Sequence, residues 1–339
     1  MYLRNVKPMV NSVKKAVIPI LAIFALLISA IAVSAQTVTP ADKKILRIKE
    51  DSLQQIARFM VLDSMVEGRY LAYKDFVPTL IRALKVKNSF YYPFDSVLGI
   101  SKLYAPDSTF RIITWYLEKD DYNGAQKGII QKRTNDGSLK LFWLFDNSDW
   151  TENLNNTICY DTTWIGAVYY NIIKTQYQGK NYYTLFGIDR AGVRTTRKWI
   201  EVLTFNQKQE PVFGGPFFSF KEDTVSRPQQ ARFHIEYKKD ARTLVNYEPD
   251  LKVILFDHLI SEEDDPKYQF PWTYVPDGDY EGFKWQNGQW VHIDKVFTFK
   301  LQDGEAPIGE PLMDNRGNKN EDILKQKSDA NKAKKSGGN

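Results

Sequence analysis

From residue 110 to about 299 the chain is a succession of short runs rich in Ile, Val, Thr, Tyr, Phe and Trp, separated by turn-forming pairs. The runs fall at 110–118, 126–133, 138–145, 165–176, 180–188, 195–205, 212–220, 232–238, 243–247, 251–257, 281–286 and 289–299. Asp136-Gly137, Gly179-Lys180, Ala191-Gly192, Asn206-Gln207 and Asn287-Gly288 stand between them. Parallel strands need crossovers of a dozen or more residues, usually helical. No helical pattern of that length separates these runs. The expectation is a mainly β chain, an antiparallel meander forming a sandwich or partly closed barrel.

One hairpin can be placed to the residue. In "WQNGQW", 285–290, Asn287-Gly288 suits a two-residue type I′ turn, whose central positions both need positive φ. That register pairs Gln286 with Gln289 and sets Trp285 opposite Trp290.

An irregular β-propeller is the alternative architecture, because Pro-Asp precedes a strand-like run three times, at prolines 106, 249 and 276. The intervals are 143 and 27 residues. Blades repeat at about 40–50 residues with self-similar motifs, so these dipeptides read as turn chemistry: Pro sets φ and Asp closes the turn.

The β region has a different prelude. Residues 36–105 form a helical N-terminal segment expected to pack on the main domain. Asp51 or Ser52 offers a cap, with Leu53, Ile56, Met60 and Met65 at helical spacing. Gly68 marks an interruption. A second stretch places Leu71, Phe76, Leu80 and Leu84 on one side, with Pro78 disfavouring helix before it. The antiparallel β domain is then 106–301. Residues 302–339 are polar and rich in Gly, Asn and Lys, a composition that cannot bury enough apolar surface to offset its ordering entropy. A disordered tail is expected there.

Residues 1–35 read as a signal peptide: Arg4, Lys7, Lys14 and Lys15, an apolar run from Ala16 to Val33, then Val33-Ser34-Ala35 as a small-residue cleavage site. Pro19 and Ser29 interrupt the run, and Gln36 stands where lipidation would need a cysteine. The expected location is the periplasm or envelope, with no stable membrane anchor after cleavage. The leader also carries most of the charge excess. Its four basic residues face no acid, so removing them lowers the formal charge from +5 to +1. Nothing global then favours nucleic acid as a partner.

Catalytic signatures are missing. Cys159 is the one cysteine, so the mature chain has no internal disulfide and must rely on its core. None of His234, His258 and His292 adjoins a nucleophile motif. A serine elbow, a metalloprotease His-Glu pattern and a phosphate-binding Gly loop are absent. Asp257 and His258 alternate along a run and so face apart. No cofactor is implied.

Two weaker patterns remain. "DGDYEG" at 277–282 opens like a calcium loop, with Asp277, Asp279 and Glu281 as candidate metal ligands. The twelfth position, which should be a bidentate glutamate, is Gly288. Glu262, Glu263, Asp264 and Asp265 form an acidic block that reads as a solvated loop. Among eight tryptophans, strand positions read as core, whereas Trp150 and Trp272 lie in loop-like segments and are the candidates for an exposed ligand platform.

The stretches "LKVKNSFYYPFDSV" (84–97), "PDSTFRIITWYLEKDD" (106–121), "WIGAVYYNII" (164–173), "KNYYTLFGIDRAGVRTTRKWIEVLTF" (180–205) and "LKVILFDHL" (251–259) resemble a family of uncharacterised exported proteins of Bacteroidetes-type Gram-negative bacteria. The resemblance implies export and origin, and brings no catalytic residues. The function expected is therefore a non-catalytic binding or scaffolding module for an envelope protein or glycan. The alternative is a hydrolase whose carboxylates, Glu201, Asp257 or Glu281, meet in a β-domain cleft. A groove with paired carboxylates about 5–10 Å apart would favour the hydrolase; an aromatic groove without them would favour binding.

Overall fold

The computed structural model describes residues 36–120, 124–190, 192–225 and 227–297. The expected leader (1–35) and tail (302–339) lie outside the described residues.

Helix α1 (Pro40–Leu62) starts earlier than its interior caps suggest. Thr39 Oγ1 accepts from the Asp42 amide at 3.1 Å, and Pro40 fills the first helical position, where its missing N–H costs nothing. Asp51 and Ser52 therefore lie inside α1. The break comes at Asp63–Met65, not at Gly68, which sits in the first turn of α2 (Val66–Leu84). Helix α2 also runs through Pro78. Burial of Phe76, Leu80, Ala83 and Leu84 outweighs the one backbone bond that Pro78 removes. Met65 and Leu71 face outward, contrary to the stripe the sequence suggests.

Among the described residues the strands form three sheets. The first is a meander of β1 (Ser101–Tyr104), β2 (Phe110–Glu118), β3 (Gly124–Lys132) and β4 (Lys140–Phe145). Strand β1 precedes residue 106, so sheet structure begins inside the segment read as helical. The second sheet holds β5 (Cys159–Tyr160), β6 (Val168–Tyr177), β7 (Lys180–Asp189), β8 (Thr195–Phe205) and β9 (Pro211–Phe213), in the order β5-β9-β8-β7-β6, with β12 (Arg232–Lys238) also paired to β8. The third holds β10 (Phe218–Phe220), β11 (Arg227–Gln230), β13 (Val245–Glu248), β14 (Val253–Ser261), β15 (Tyr274–Gln286) and β16 (Gln289–Ile293), ordered β11-β10-β16-β15-β14-β13. Among the described residues, all pairings between these strands are antiparallel except β10 with β16, and one isolated parallel bridge joins Asp146 to Trp164.

Each sheet presents its apolar side chains to the next layer. Ile113, Trp115, Leu117 and Ile129 of the first sheet pack against Leu46, Leu53, Ala57 and Met60 of α1 and the buried face of α2. Phe110, Ile112 and Ile130, from the other face, join Tyr183, Leu185, Trp199 and Leu203 of the second sheet. Phe186, Ile200 and Val202 point away from those and meet Phe218, Phe220, Ile254, Phe256, Phe283 and Trp290 of the third sheet. The order of layers is helices, sheet, sheet, sheet. Strands covered on both faces lose the clean apolar–polar alternation of a half-solvated sheet, which accounts for the continuous runs "FRIITWYL" and "TLFGI". The layers stack and do not close into a barrel, nor are they blades around an axis.

The run read as one strand at 212–220 is two. Gly214 and Gly215, with φ of +87° and +151°, break it, and the chain passes from the second sheet to the third. Pro106-Asp107 does turn β1 into β2, with Asp107 Oδ1 accepting from Thr109. Pro276-Asp277, in contrast, lies within the 13-residue β15, beside the register shift at Asp257/Leu259, where a missing ladder N–H is tolerated. The Asn287-Gly288 hairpin has the expected form. Its φ values are +50° and +82°, and Trp285 is opposite Trp290 with the indoles 5.2 Å apart edge to face.

Candidate functional site

A groove of about 840 Å³ opens where the ends of several strands meet. Tyr182 and Tyr183 come from the start of β7, Thr204 and Phe205 from the end of β8, and Asn206, Gln207 and Gln209 from the turn that follows. The last residue of β3, Lys132, reaches in from the first sheet, and Phe217 from the link into β10. Asn206 closes the β8–β9 turn: its Oδ1 accepts from the amides of Lys208 and Glu210 at 2.9 and 3.0 Å. Tyr182 is braced edge-on against Phe217, centroids 5.5 Å apart, and against Trp285 at the same distance.

Lys132 is the distinctive group. Its ammonium lies 3.5 Å from the centroid of the Phe205 ring, and its hydrogen bond goes to Gln209 Oε1 at 3.4 Å. Burial, then the neighbouring charge of Lys140, brings its pKa down to about 8, against a smaller opposing pull from Asp107. Asp107 is itself committed. It accepts from Thr109 at 2.7 Å and Tyr183 at 2.8 Å, and pairs with Lys174 at 3.3 Å. Burial would raise its pKa, but these bonds outweigh burial and keep it ionised. Among the described residues, no carboxylate lines the groove.

A second polar feature runs along one face of the third sheet. His258 Nδ1 bonds Asp277 at 2.8 Å, His292 Nε2 bonds Glu281 at 2.8 Å, and His292 Nδ1 bonds Asp223 at 2.9 Å. Burial alone would lower the pKa of His292, but the bonds to Glu281 and Asp223 outweigh it and raise it. One ligand atom each from Asp223, His292 and Asp294 lies within 4.8 Å of the others. Arg227 Nη2, 2.7 Å from Asp223 and 3.4 Å from His292 Nδ1, already supplies positive charge there.

The residues singled out from sequence are thus dispersed among other roles. Asp277 and Glu281 serve the two histidines, while Asp277 Oδ1 accepts from the amide of Asp279 at 2.9 Å in a local turn. Glu201 is buried between the first two sheets, bonded to Arg232 Nε at 3.2 Å and to the Tyr169 hydroxyl. Asp257 accepts the Leu244 amide. Glu281 lies opposite Phe256, so Asp257 is on the other face of the strand. Cys159 is fully buried, and burial pushes its thiol up, as suits a packing residue. Trp150 is 85% exposed in a short helical turn. Trp272 is half-buried, stacked on Phe270 at 4.6 Å and under the Arg194 guanidinium at 4.2 Å.

The groove went unseen in the sequence because its members come from positions 109, 132, 180–183, 204–207 with 209, and 217. The legible trace was aromatic and amide residues crowded at hairpin ends, "GKNYY" and "TFNQKQE". Comparison with family models, with curated proteins and with solved structures returns no match.

Proposed function

We propose that the protein is an exported envelope protein that binds a glycan without transforming it. The observation that carries this reading is the composition of the groove: aromatic rings for stacking, amides for hydrogen bonding to hydroxyls, and no carboxylate among the described lining residues. Canonical glycosidase chemistry needs two carboxyl groups flanking the scissile bond. Glu201 and Glu281 sit in different sheets, and Asp257 and Glu281 on opposite faces of one. Trp150 is a bare aromatic surface outside the groove and serves as the internal comparison.

Screening the mature protein against an array of bacterial and plant polysaccharides tests the reading. The expected result is binding that Gln209→Ala and Lys132→Gln weaken and Trp150→Ala leaves intact, with no new reducing ends after prolonged incubation. Chain cleavage, or binding lost only with Trp150→Ala, would contradict it.

A further inference from the structure

We infer that the groove selects acidic saccharides, chains carrying carboxylate or sulfate, because it presents ammonium groups with no anion to meet them. The inference rests on the glycan-binding reading and names the ligand class. An ammonium has three N–H donors. Lys132 uses one at 3.4 Å on Gln209 and otherwise faces the Phe205 ring. Lys180, exposed at the groove rim, has no partner among the described residues. Around Lys132 the charged neighbours are Lys140, from β4, and Asp107, from the β1–β2 turn. Lys140 is of like sign, and Asp107 is occupied by Thr109, Tyr183 and Lys174. A ligand anion placed between Lys132 and Gln209 would give the ammonium the charge-assisted bond it lacks, in a partly desolvated setting where such bonds are strongest. Tyr182 and Phe217, elsewhere along the groove, offer aromatic surface for the sugar.

This arrangement couples binding to protonation. In the free protein Lys132 titrates near pH 8. A bound anion raises that value, so affinity is full below about pH 8 and falls as pH rises above it, with proton uptake on binding in between.

Isothermal titration with a galacturonate hexamer, its fully methyl-esterified counterpart and a chondroitin sulfate hexamer tests the proposal, with inorganic phosphate at matched ionic strength as the free-anion control. At pH 7 the galacturonate or the sulfated hexamer should bind about tenfold or more tighter than the ester, the effect of one charge-assisted bond. Whichever of the two binds tighter identifies the anion. Phosphate should fail to displace it. Lys132→Gln should abolish the preference for the acid over the ester while leaving weak binding of the ester, and the preference should shrink between pH 7 and 9. Equal affinity for acid and ester would overturn the inference and leave glycan binding standing. Displacement by phosphate alone, or a pH-independent preference that survives Lys132→Gln, would also overturn it. Binding of no saccharide at all would remove both readings.

Discussion

Replacing Arg232 with Met should unfold the protein more readily than any surface change. The guanidinium is fully buried, and its partner Glu201 is 2% exposed at the side chain. Arg232 joins three places in the chain. It bonds Glu201 on β8, the carbonyls of Leu154 and Thr157 in the loop before β5, and the carbonyl of Phe213 on β9. Methionine fills the volume but supplies no donor. Glu201 would then be a buried carboxylate left with the Tyr169 hydroxyl, and the carbonyls of Leu154, Thr157 and Phe213 would lose the guanidinium donor. Breaking a buried pair by removing one member costs about 3–5 kcal/mol, and each orphaned buried acceptor about 1–3 kcal/mol before water or relaxation offsets it. A loss of about 4 kcal/mol is expected in urea unfolding at pH 7. Glu201→Gln should cost less, since an amide oxygen still accepts from Arg232. The double variant Arg232→Met/Glu201→Gln should be less destabilised than the sum of the singles by about 1–3 kcal/mol, because neutralising Glu201 removes the stranded charge. A loss under about 1 kcal/mol for Arg232→Met, or strict additivity, would refute the assignment of this pair to the core between the first two sheets.

Gly288→Val should cost at least about 2 kcal/mol in the same assay, since φ is +82° and a Cβ there would stand 2.6 Å from the Tyr177 ring; an unchanged midpoint would contradict the hairpin. Trp290→Ala should cost about 3–5 kcal/mol and Trp285→Ala clearly less, because Trp290 is fully buried and bonds Thr184 at 3.0 Å whereas Trp285 is partly exposed. His234 is held neutral: burial, with the charges of Arg197 and Arg232, brings its pKa down to about 4. The unfolded chain binds that proton near pH 6.5 and the folded chain does not, so this stability is complete above about 6.5 and is lost as pH falls to 4, on the order of 3 kcal/mol. His234→Gln should flatten the corresponding slope in unfolding midpoints between pH 7 and 4.5; an unchanged slope would contradict a neutral His234. Terminal sequencing of the protein from the cell envelope should begin at Gln36, whereas a membrane-bound chain starting at Met1 would replace export by anchoring.

Local chemistry in this sequence is informative about elements and silent about their assembly. The bounds of β2, β8 and β12 coincide with runs of β-branched and aromatic residues, because the turns that end them carry their own signals. The Trp285–Trp290 register follows from Asn287-Gly288 alone. Helix α2 misleads at Pro78 because tertiary burial overrides a local preference. Which sheet a strand joins depends on contacts far along the chain, as between Phe110 and Tyr183 or Phe233 and Phe256. For the same reason the groove, assembled from five separate segments, could not be read from any one of them. The carboxylate–histidine row was half visible: Asp277 and Glu281 stood out by spacing, while His292, 11 residues from Glu281, needed the β15–β16 pairing to bring it alongside.

Hydroxyl-radical footprinting of the protein, with and without a saturating saccharide identified by array, tests the binding groove most directly. Oxidation is read by mass spectrometry at each aromatic side chain. The groove account predicts protection of Tyr182, Phe205 and Phe217, unchanged oxidation of Trp150, and a saccharide recovered at its original length. Protection centred on Trp150, or at His258 and Glu281 with a shortened saccharide, would contradict it.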